Sequence, residues 1–289
     1  MSTQAASGAV PVPLRRALDL DSLCRENPCD RVIVLGSFWP NSRGSFESHV
    51  VKSFKECVPA RDFQPHISAL CEFYAHLILS ATGSERFDSI ARVLSSSERE
   101  LEIDRPQSLL ADRLCAVTGA GNLSSLFFKS ESRPSMRTVS RLSGPDALRP
   151  RVQYVLQDLF VRPRRNGGSV LLIDDIFNTG ASARVYARAL KEFAGAKSVV
   201  VANLAATRFQ RGRDGHGALS LDTSRMEAND SLRCTWLDEN DLYHRLRDCP
   251  AAGSRVSPEL AFVSARRGMP CPECSTIQAA PRRKWWQIF

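Results

Sequence analysis

Two kinds of apolar segment alternate along the middle of the chain. Short continuous apolar runs are typical of strands buried on both faces of a parallel sheet. They occupy residues 88–94, 125–128, 169–174 and 198–204. Segments with apolar residues at helical spacing separate them, at residues 105–117, 145–160 and 181–193. This alternation predicts an α/β fold built on a twisted, mainly parallel sheet flanked by helices, with those strands as neighbours.

The sequence on both sides of this alternation follows a different pattern. We therefore predict a core at residues 61–208, with an N-terminal lead-in at 1–60 and a C-terminal extension at 209–289. The elements predicted outside the alternation are a strand at 32–35, helices at 46–55, 65–80 and 239–247, and a strand at 261–264.

The composition indicates a globular protein, because 289 residues with 43% apolar content can bury a full core. No apolar run approaches the roughly 20 residues that a membrane span requires, and residues 1–15 lack the pattern of a signal peptide. We therefore expect a cytoplasmic protein. Most of the nine cysteines, such as Cys71 and Cys115, stand alone among apolar residues, so we expect reduced core thiols.

The formal net charge of +8 is compatible with two kinds of partner. A basic surface could bind nucleic acid, and it could equally bind a small molecule that is rich in phosphate. The arginines gather at residues 133–165 and 207–213 instead of forming a stripe along a helix. This distribution favours a concentrated anionic ligand over nucleic acid.

The segment at residues 170–182, VLLIDDIFNTGAS, carries the clearest chemistry. Its apolar half predicts a buried strand, which places Asp174 and Asp175 at the carboxyl end, where open α/β sheets bind ligands. The following residues open a helix, so their N–H groups and hydroxyls can converge on a phosphate. Gly180 permits a close approach of the backbone. Two acids beside a phosphate site suit a ligand that also carries a diol, such as a ribose 5-phosphate derivative.

Other phosphate-binding motifs explain this segment less well. A Walker loop ends in Gly-Lys-Ser/Thr, and a dinucleotide fingerprint has three spaced glycines with an acid about 20 residues later. Neither pattern is present here. The remaining alternative is an ordinary buried strand, turn and helix cap of the kind that any α/β protein contains.

The segment resembles the signature of the type I phosphoribosyltransferase family, departing chiefly at Asn178, where a small hydroxyl or apolar residue is usual. The stretch at residues 87–208 is similar to the ComF (competence-associated) branch of that family. The similarity rests on residues 105–114, on the loop before Pro145 and on residues 194–208. It covers less than half of the chain.

This resemblance implies a phosphoribosyltransferase fold and a ligand, phosphoribosyl pyrophosphate, bound with Mg²⁺. Asp174 and Asp175 would be the catalytic residues and would hold the ribose hydroxyls. The substrate-binding residues that surround the 5′-phosphate would be Asn178, Thr179, Gly180, Ala181 and Ser182. Departure of pyrophosphate builds positive charge on the sugar, which the carboxylates stabilise, while Mg²⁺ and arginines neutralise the leaving group.

The resemblance also implies where the pyrophosphate would bind. The serines at residues 95–97, including Ser95 and Ser96, stand in the place of the family's pyrophosphate loop. The mobile catalytic loop would fall at residues 129–144, where the candidate ligands are Arg133, Arg137 and Arg141. A solvated surface charge is the alternative for each arginine.

Two departures leave the reaction open. ComF-like chains usually carry Arg-Gly-Phe-Asn-Gln where this chain has Arg105-Pro106-Gln107, and no base-binding segment is recognisable. One hypothesis is therefore a transferase that acts on an unspecified base or amine. The other is a non-catalytic regulatory protein, associated with DNA processing or defence, that uses the same pocket. A nucleic-acid binder with a vestigial pocket is disfavoured by the complete motif.

The cysteines suggest a structural zinc site. Cys271 and Cys274 have the spacing of half a site, because two intervening residues let both thiolates reach one ion. Cys24 and Cys29 are the expected other half, also because ComF-like proteins tend to begin with a cysteine ribbon. Cys234 and Cys249 are the rival pair, and a redox or accidental Cys-x-x-Cys is the alternative to zinc.

The remaining polar features are less specific. The five histidines share no ligand spacing, so we expect each to be a surface or internally satisfied residue. The basic aromatic tail at residues 281–289, PRRKWWQIF, could bind a protein, a nucleic acid or an anionic membrane surface. Alternatively, it folds back over apolar surface.

Overall fold

The structure is a computed structural model that describes residues 10–40, 45–132, 145–165, 167–208 and 221–276. The chain forms two compact units. The first unit consists of Met1–Pro40 and Phe54–Leu221, and the second of Asn41–Ser53 and Asp222–Phe289.

Strands and helices alternate through the described part of the first unit. The strands are β1 (Val12–Pro13), β2 (Arg31–Val34), β3 (Ser37–Phe38), β4 (Ser89–Arg92), β5 (Gly121–Asn122), β6 (Phe127–Lys129), β7 (Leu159–Val161), β8 (Gly168–Phe177) and β9 (Ala196–Thr207). The helices are α1 (Leu14–Ala17), α2 (Leu20–Arg25), α4 (His66–Thr82), α5 (Pro106–Thr118), α6 (Leu148–Leu156) and α7 (Ala181–Phe193). Helix α3 (Phe46–Glu56) includes the boundary between the two sequence ranges.

The main sheet of the first unit is parallel, with the strand order β2-β9-β8-β4-β5, and β3 also pairs with β9. The long central strands β8 and β9 are paired from Gly168 and Ala196 onward. The predicted α/β fold with a parallel sheet flanked by helices is confirmed. The predicted neighbours β4, β8 and β9 are adjacent in the sheet.

One predicted neighbour lies elsewhere. The apolar run at 125–128 was expected in the main sheet, but β6 joins an antiparallel sheet of order β1-β7-β6. The edge position beside β4 belongs to β5 instead. A 3₁₀ turn at Ser124–Leu126 redirects the chain between β5 and β6. An apolar run specifies burial but does not specify the sheet in which a strand pairs, and this is why the expectation was wrong.

Helices cover both faces of the main sheet. On one face, residues such as Leu172 and Val201 pack against buried apolar residues of α6 and α7, including Val155 and Leu190. Alternation along the strands directs Leu171 to the opposite face, where α5 contacts β4 and β8 and also packs on α4. Burying each large apolar side chain contributes about 1.5–3 kcal/mol, so the three layers hold the strand ends in place.

The second unit is built on a sheet of order β12-β10-β11-β13. Its elements after residue 221 are α8 (Ser224–Glu227), β10 (Cys234–Asp238), β11 (Leu242–His244), β12 (Val256–Leu260), α9 (Ala261–Arg267), β13 (Met269–Pro270) and α10 (Pro272–Thr276). The helix predicted at 239–247 is therefore a turn and strand, and the strand predicted at 261–264 is the start of a helix. Short apolar segments do not distinguish the two by periodicity.

Among the described residues, none of the helices has the length and apolar character needed to cross a membrane.

Candidate functional site

The acidic pair lies near the carboxyl end of the central strand β8. The pairing of β8 with β4 ends at Ile173, so Asp174 is the first residue beyond it, while β9 continues alongside with Asn203 opposite Asp174. Beyond the carboxyl end of β4 lies a pocket, and the carboxylates of Asp174 and Asp175 line it.

The turn after β8 brings a helix N-terminus to the same pocket. Helix α7 begins at Ala181, directly after Gly180, whose φ of +76° lies in the left-handed region. The backbone conformation therefore favours glycine, and a Cβ atom added at Gly180 would stand 2.9 Å from the ring of Phe177, which would have to shift. Asn178, Thr179 and Ser182 also line the pocket.

The structure therefore gathers most of the sequence-predicted site residues around one cavity. They are Asp174, Asp175, Asn178, Thr179, Gly180, Ala181, Ser182, Ser95 and Ser96. The candidate pyrophosphate ligands Arg133, Arg137 and Arg141 lie outside the described residues, as does the tail at 281–289.

The two carboxylates differ in their surroundings. The N–H of Asp175 donates to Asp174 Oδ1 over 2.9 Å, and the N–H of Ile176 donates to Asp175 Oδ1 over 2.7 Å. Lys55 Nζ lies 2.5 Å from Asp175 Oδ2, forming an ion pair. Burial and, secondly, the charge of Asp175 raise the pKa of Asp174 to about 8. In the empty pocket Asp174 therefore favours its protonated form, and an added cation would favour its carboxylate form.

A buried ion pair holds the serine loop, residues 95–97, which contributes Ser95 and Ser96 to the same pocket. Arg92 and Glu98 have side chains that are 1% and 0% exposed and are joined by two hydrogen bonds of 2.9 and 2.5 Å. Glu98 also accepts the N–H of Ser95 over 2.6 Å and that of Glu102 over 3.1 Å. Removing one partner of such a pair typically costs about 3–5 kcal/mol, so this loop is strongly held.

Lys129 orients the peptide groups of the same loop. The buried Lys129 Nζ donates to the carbonyl oxygens of Ser95 and Ser96. Because a trans peptide carries its N–H opposite its C=O, the N–H groups of Ser96 and Ser97 point away from Lys129. Adjacent N–H groups that are oriented together form a favourable site for an anion.

Five polar pocket residues were not found from the sequence, and one of them, Thr207, belongs to β9. Lys55 belongs to α3, Gln107 to α5, and Arg151 and Tyr154 to α6. Arg151 is buried, which lowers the pKa of its guanidinium. The Oε1 atom of Gln107 is also buried, and it accepts no hydrogen bond from the described residues. Lys55 is distant from Asp175 in the chain and lies in no motif. Of these residues, only Gln107 could have been noticed in the sequence, because it lies where the chain differs from ComF-like sequences.

The second unit contains a separate cluster of residues that could hold a metal ion. Its members are buried, and their ligand atoms all lie within 4.8 Å of one another. They are His244, Cys249, Cys271 and Cys274.

This cluster contains two of the four cysteines in the expected ligand set, Cys271 and Cys274. Cys24 and Cys29 are not members of the cluster, because they pack with the apolar core of the first unit. Of the rival pair, Cys249 is a member and Cys234 is not. His244 was expected to be an ordinary histidine. The sequence feature that could have indicated His244 is its position relative to Cys249, because four residues lie between them.

No protein-family model matches the chain, and no curated protein matches it. Among solved structures, the chain is similar to the adenine phosphoribosyltransferase of Thermoanaerobacter pseudethanolicus, with 17% identity and a TM-score of 0.33 over 53% of this chain and 80% of that one. It is also similar to the Saccharomyces cerevisiae adenine phosphoribosyltransferase, with 16% identity and a TM-score of 0.30 over 51% and 80% of the two chains. Because these scores are low, the functional assignment rests on the pocket itself.

Proposed function

We propose that this chain is a type I phosphoribosyltransferase-fold protein that binds phosphoribosyl pyrophosphate with Mg²⁺ and transfers or senses its phosphoribosyl group. One observation carries the proposal. The acidic pair, the turn that opens α7 and the serine loop line a single pocket at the carboxyl end of a parallel sheet. Together they offer carboxylates for a diol and backbone donors for phosphates at two sides of one cavity.

Each part of the ligand has a complementary group in this pocket. Asp174 and Asp175 would accept hydrogen bonds from the ribose hydroxyls. Thr179 and Ser182, with the N–H groups that open α7, would bind the 5′-phosphate. The loop that carries Ser95 and Ser96 would bind the pyrophosphate through the N–H groups of Ser96 and Ser97, whose orientation Lys129 sets.

The donor chemistry of the pocket also fits Mg²⁺, which prefers carboxylate and phosphate oxygens. Lys55 already places a cation at Asp175, and a second positive charge beside Asp174 would favour its ionised form, which the raised pKa of Asp174 disfavours in the empty pocket. The residues that would hold Mg²⁺ are therefore Asp174 and Asp175, together with ligand oxygens. When bound, Mg²⁺ would neutralise the pyrophosphate leaving group.

The side chains of the pocket can support transfer of the phosphoribosyl group. As the bond to pyrophosphate breaks, positive charge develops on the sugar, and the carboxylates of Asp174 and Asp175 would stabilise it. Arg151 and Lys55 line the same cavity and would attract the departing pyrophosphate. The buried Gln107 Oε1 is an acceptor that could orient a ligand N–H or O–H.

A second candidate function is a non-catalytic regulatory role, in a DNA-processing or defence context, that uses the same pocket to sense the ligand. The departure at Arg105-Pro106-Gln107 from the ComF pattern favours a non-catalytic role, while the DNA-processing or defence context rests on the resemblance to ComF-like proteins. An enzyme and a sensor need the same ribose and phosphate contacts, so turnover must distinguish them.

The experiment is pyrophosphate release from phosphoribosyl pyrophosphate and Mg²⁺ across a panel of purine and pyrimidine bases and amines. A transferase releases pyrophosphate with at least one acceptor, whereas a sensor binds the ligand without release.

The Asp175→Asn variant tests the pocket itself. It should bind phosphoribosyl pyrophosphate about ten- to a hundredfold more weakly, because it removes charge-assisted hydrogen bonds of roughly 1.5–3 kcal/mol each. Asp230→Asn is the matched control, since the Asp230 side chain is 93% exposed and lies in the second unit. Equal binding by both variants would contradict the proposed pocket.

A further inference from the structure

We propose that His244, Cys249, Cys271 and Cys274 bind one zinc ion that stabilises the fold of the second unit. The ligand atoms converge as a tetrahedral site requires. Cys249 Sγ lies 3.9 Å from Cys271 Sγ, and Cys274 Sγ lies 3.8 Å from His244 Nδ1. Zinc bound tetrahedrally at about 2.3 Å from sulfur separates two sulfurs by about 3.8 Å. The Cys249–Cys271 separation matches this value, and all four ligand atoms lie within 4.8 Å of one another.

The Cys249–Cys271 distance excludes a disulfide between these two sulfurs. A disulfide bond is about 2.05 Å long, and the Cys249 and Cys271 sulfurs are almost twice that distance apart. Each of the four residues is buried. Three thiolates and an imidazole form a closed four-ligand set of the kind found in structural zinc sites, whereas catalytic zinc keeps one position for water.

The backbone of the second unit brings the ligands together. Strand β11 pairs in parallel with β13, with Tyr243 opposite Pro270, and the N–H of Cys271 donates to the Tyr243 carbonyl over 3.0 Å. His244 at the end of β11 and Cys271 just after β13 are therefore side by side. Cys274 follows within the first turn of α10.

A buried carboxylate fixes the histidine for metal binding. Asp238 Oδ2 lies 3.2 Å from His244 Nε2, and both side chains are fully buried. Asp238 is itself held by the N–H groups of Asn240, Leu242 and Gly253. Holding the proton on Nε2 leaves the lone pair of Nδ1 directed at the cysteines. A carboxylate paired with the remote nitrogen of a ligating histidine is the usual support of a zinc site.

The apolar packing around the cysteines is slight, which explains why a metal would matter. The buried apolar cluster at this position consists of Cys249, Cys271 and Cys274, with Ala252 against it. Small units with little apolar core commonly depend on a metal or on cross-links for stability. Zinc would join β11, β13, α10 and the loop that carries Cys249, so its binding free energy would contribute directly to folding.

The test is the zinc content of the full-length protein, purified under reducing conditions from zinc-supplemented cells and denatured with a chromophoric chelator. We expect about one zinc ion per chain. Cys274→Ser and His244→Ala should lose most of it, whereas His244→Cys should retain it because a fourth thiolate can replace the imidazole. Cys115→Ser is the matched control, since Cys115 is a partly exposed cysteine of the first unit.

Cobalt(II) added to the metal-free wild-type chain provides a second measurement if the variants fail to fold. Tetrahedral thiolate coordination should give the visible absorption of a cobalt–thiolate site, and added zinc should abolish it. A wild-type chain without zinc that also fails to take up cobalt would overturn the proposal. So would a disulfide among these cysteines in mass spectra, or wild-type zinc content in both Cys274→Ser and His244→Ala.

Discussion

At the scale of single residues, the pocket keeps an acid in an environment that disfavours its ionised form. Asp174 is held beside a second carboxylate, and burial raises its pKa to about 8. Lys55 pairs with Asp175 and leaves the charge of Asp174 less well balanced. Binding sites commonly sacrifice stability in this way, because the groups that a ligand needs are not the groups that folding favours.

This arrangement predicts a pH-dependent stability difference between the wild type and Asp174→Asn. The folded protein holds the Asp174 proton more tightly than the unfolded chain does. The contribution of this group to the free energy of unfolding is therefore fully present below about pH 4. It is lost progressively as pH rises towards about 8. Without ligand, Asp174→Asn should therefore gain in melting temperature relative to wild type between pH 5 and 8. A constant difference over that range would show that the Asp174 pKa is not raised.

Gly180 provides a second residue-scale prediction with a matched control. Gly180 and Gly119 both have a φ of +76°, but an added Cβ would contact Phe177 at Gly180 and nothing within 4 Å at Gly119. Replacing either by valine introduces left-handed strain of about 1–2 kcal/mol. Only Gly180→Val should also abolish ligand binding, because its side chain intrudes where the phosphate would bind. Calorimetry on both variants checks this, and loss of binding in Gly119→Val as well would assign the effect to strain alone.

At the scale of elements, the serine loop of the first unit depends on a lysine in another sheet. Lys129 ends β6, yet its ammonium group holds the carbonyls of Ser95 and Ser96. We expect Lys129→Met to weaken pyrophosphate binding by about tenfold, the worth of roughly one oriented hydrogen bond, while ribose 5-phosphate binding changes little.

Lys129→Arg should restore part of the pyrophosphate affinity, and Lys197→Met, at an exposed position, serves as the control. Isothermal titration with each ligand measures both affinities. If the two ligands lost affinity equally, Lys129 would be a general stabiliser of the fold and not a positioning residue of this loop.

Elements with strong, long patterns were predictable from the sequence. The apolar runs at β4, β8 and β9 identified buried strands and their pairing, since alternation with helices permits few other topologies. The short segments were not predictable. Of residues 125–128, only the last two pair, in another sheet, and residues 261–264 are helical, because three or four apolar residues fit a strand or one helical turn equally well.

At the scale of the whole molecule, more of the proposed ligand pocket than of the proposed metal site could be predicted from the sequence. The motif around Asp174 is contiguous, so strand, acids, turn and helix follow one another in the chain. Lys55 and Arg151 come from distant helices and carry no local signature. The residues of the proposed metal site are likewise far apart in the chain. The pairing of β11 with β13, which brings His244 and Cys271 together, could not be inferred from the spacing of the cysteines.

The most direct test of the central claim is calorimetric titration of the full-length wild-type protein with phosphoribosyl pyrophosphate, with and without Mg²⁺. The acidic pair, the turn at Gly180 and the serine loop would each contact the ligand, and the carboxylates would share Mg²⁺ with it. We therefore predict one binding site per chain that requires Mg²⁺ and weakens by about ten- to a hundredfold in Asp175→Asn. No Mg²⁺-dependent binding to the wild type would contradict the assignment of this pocket.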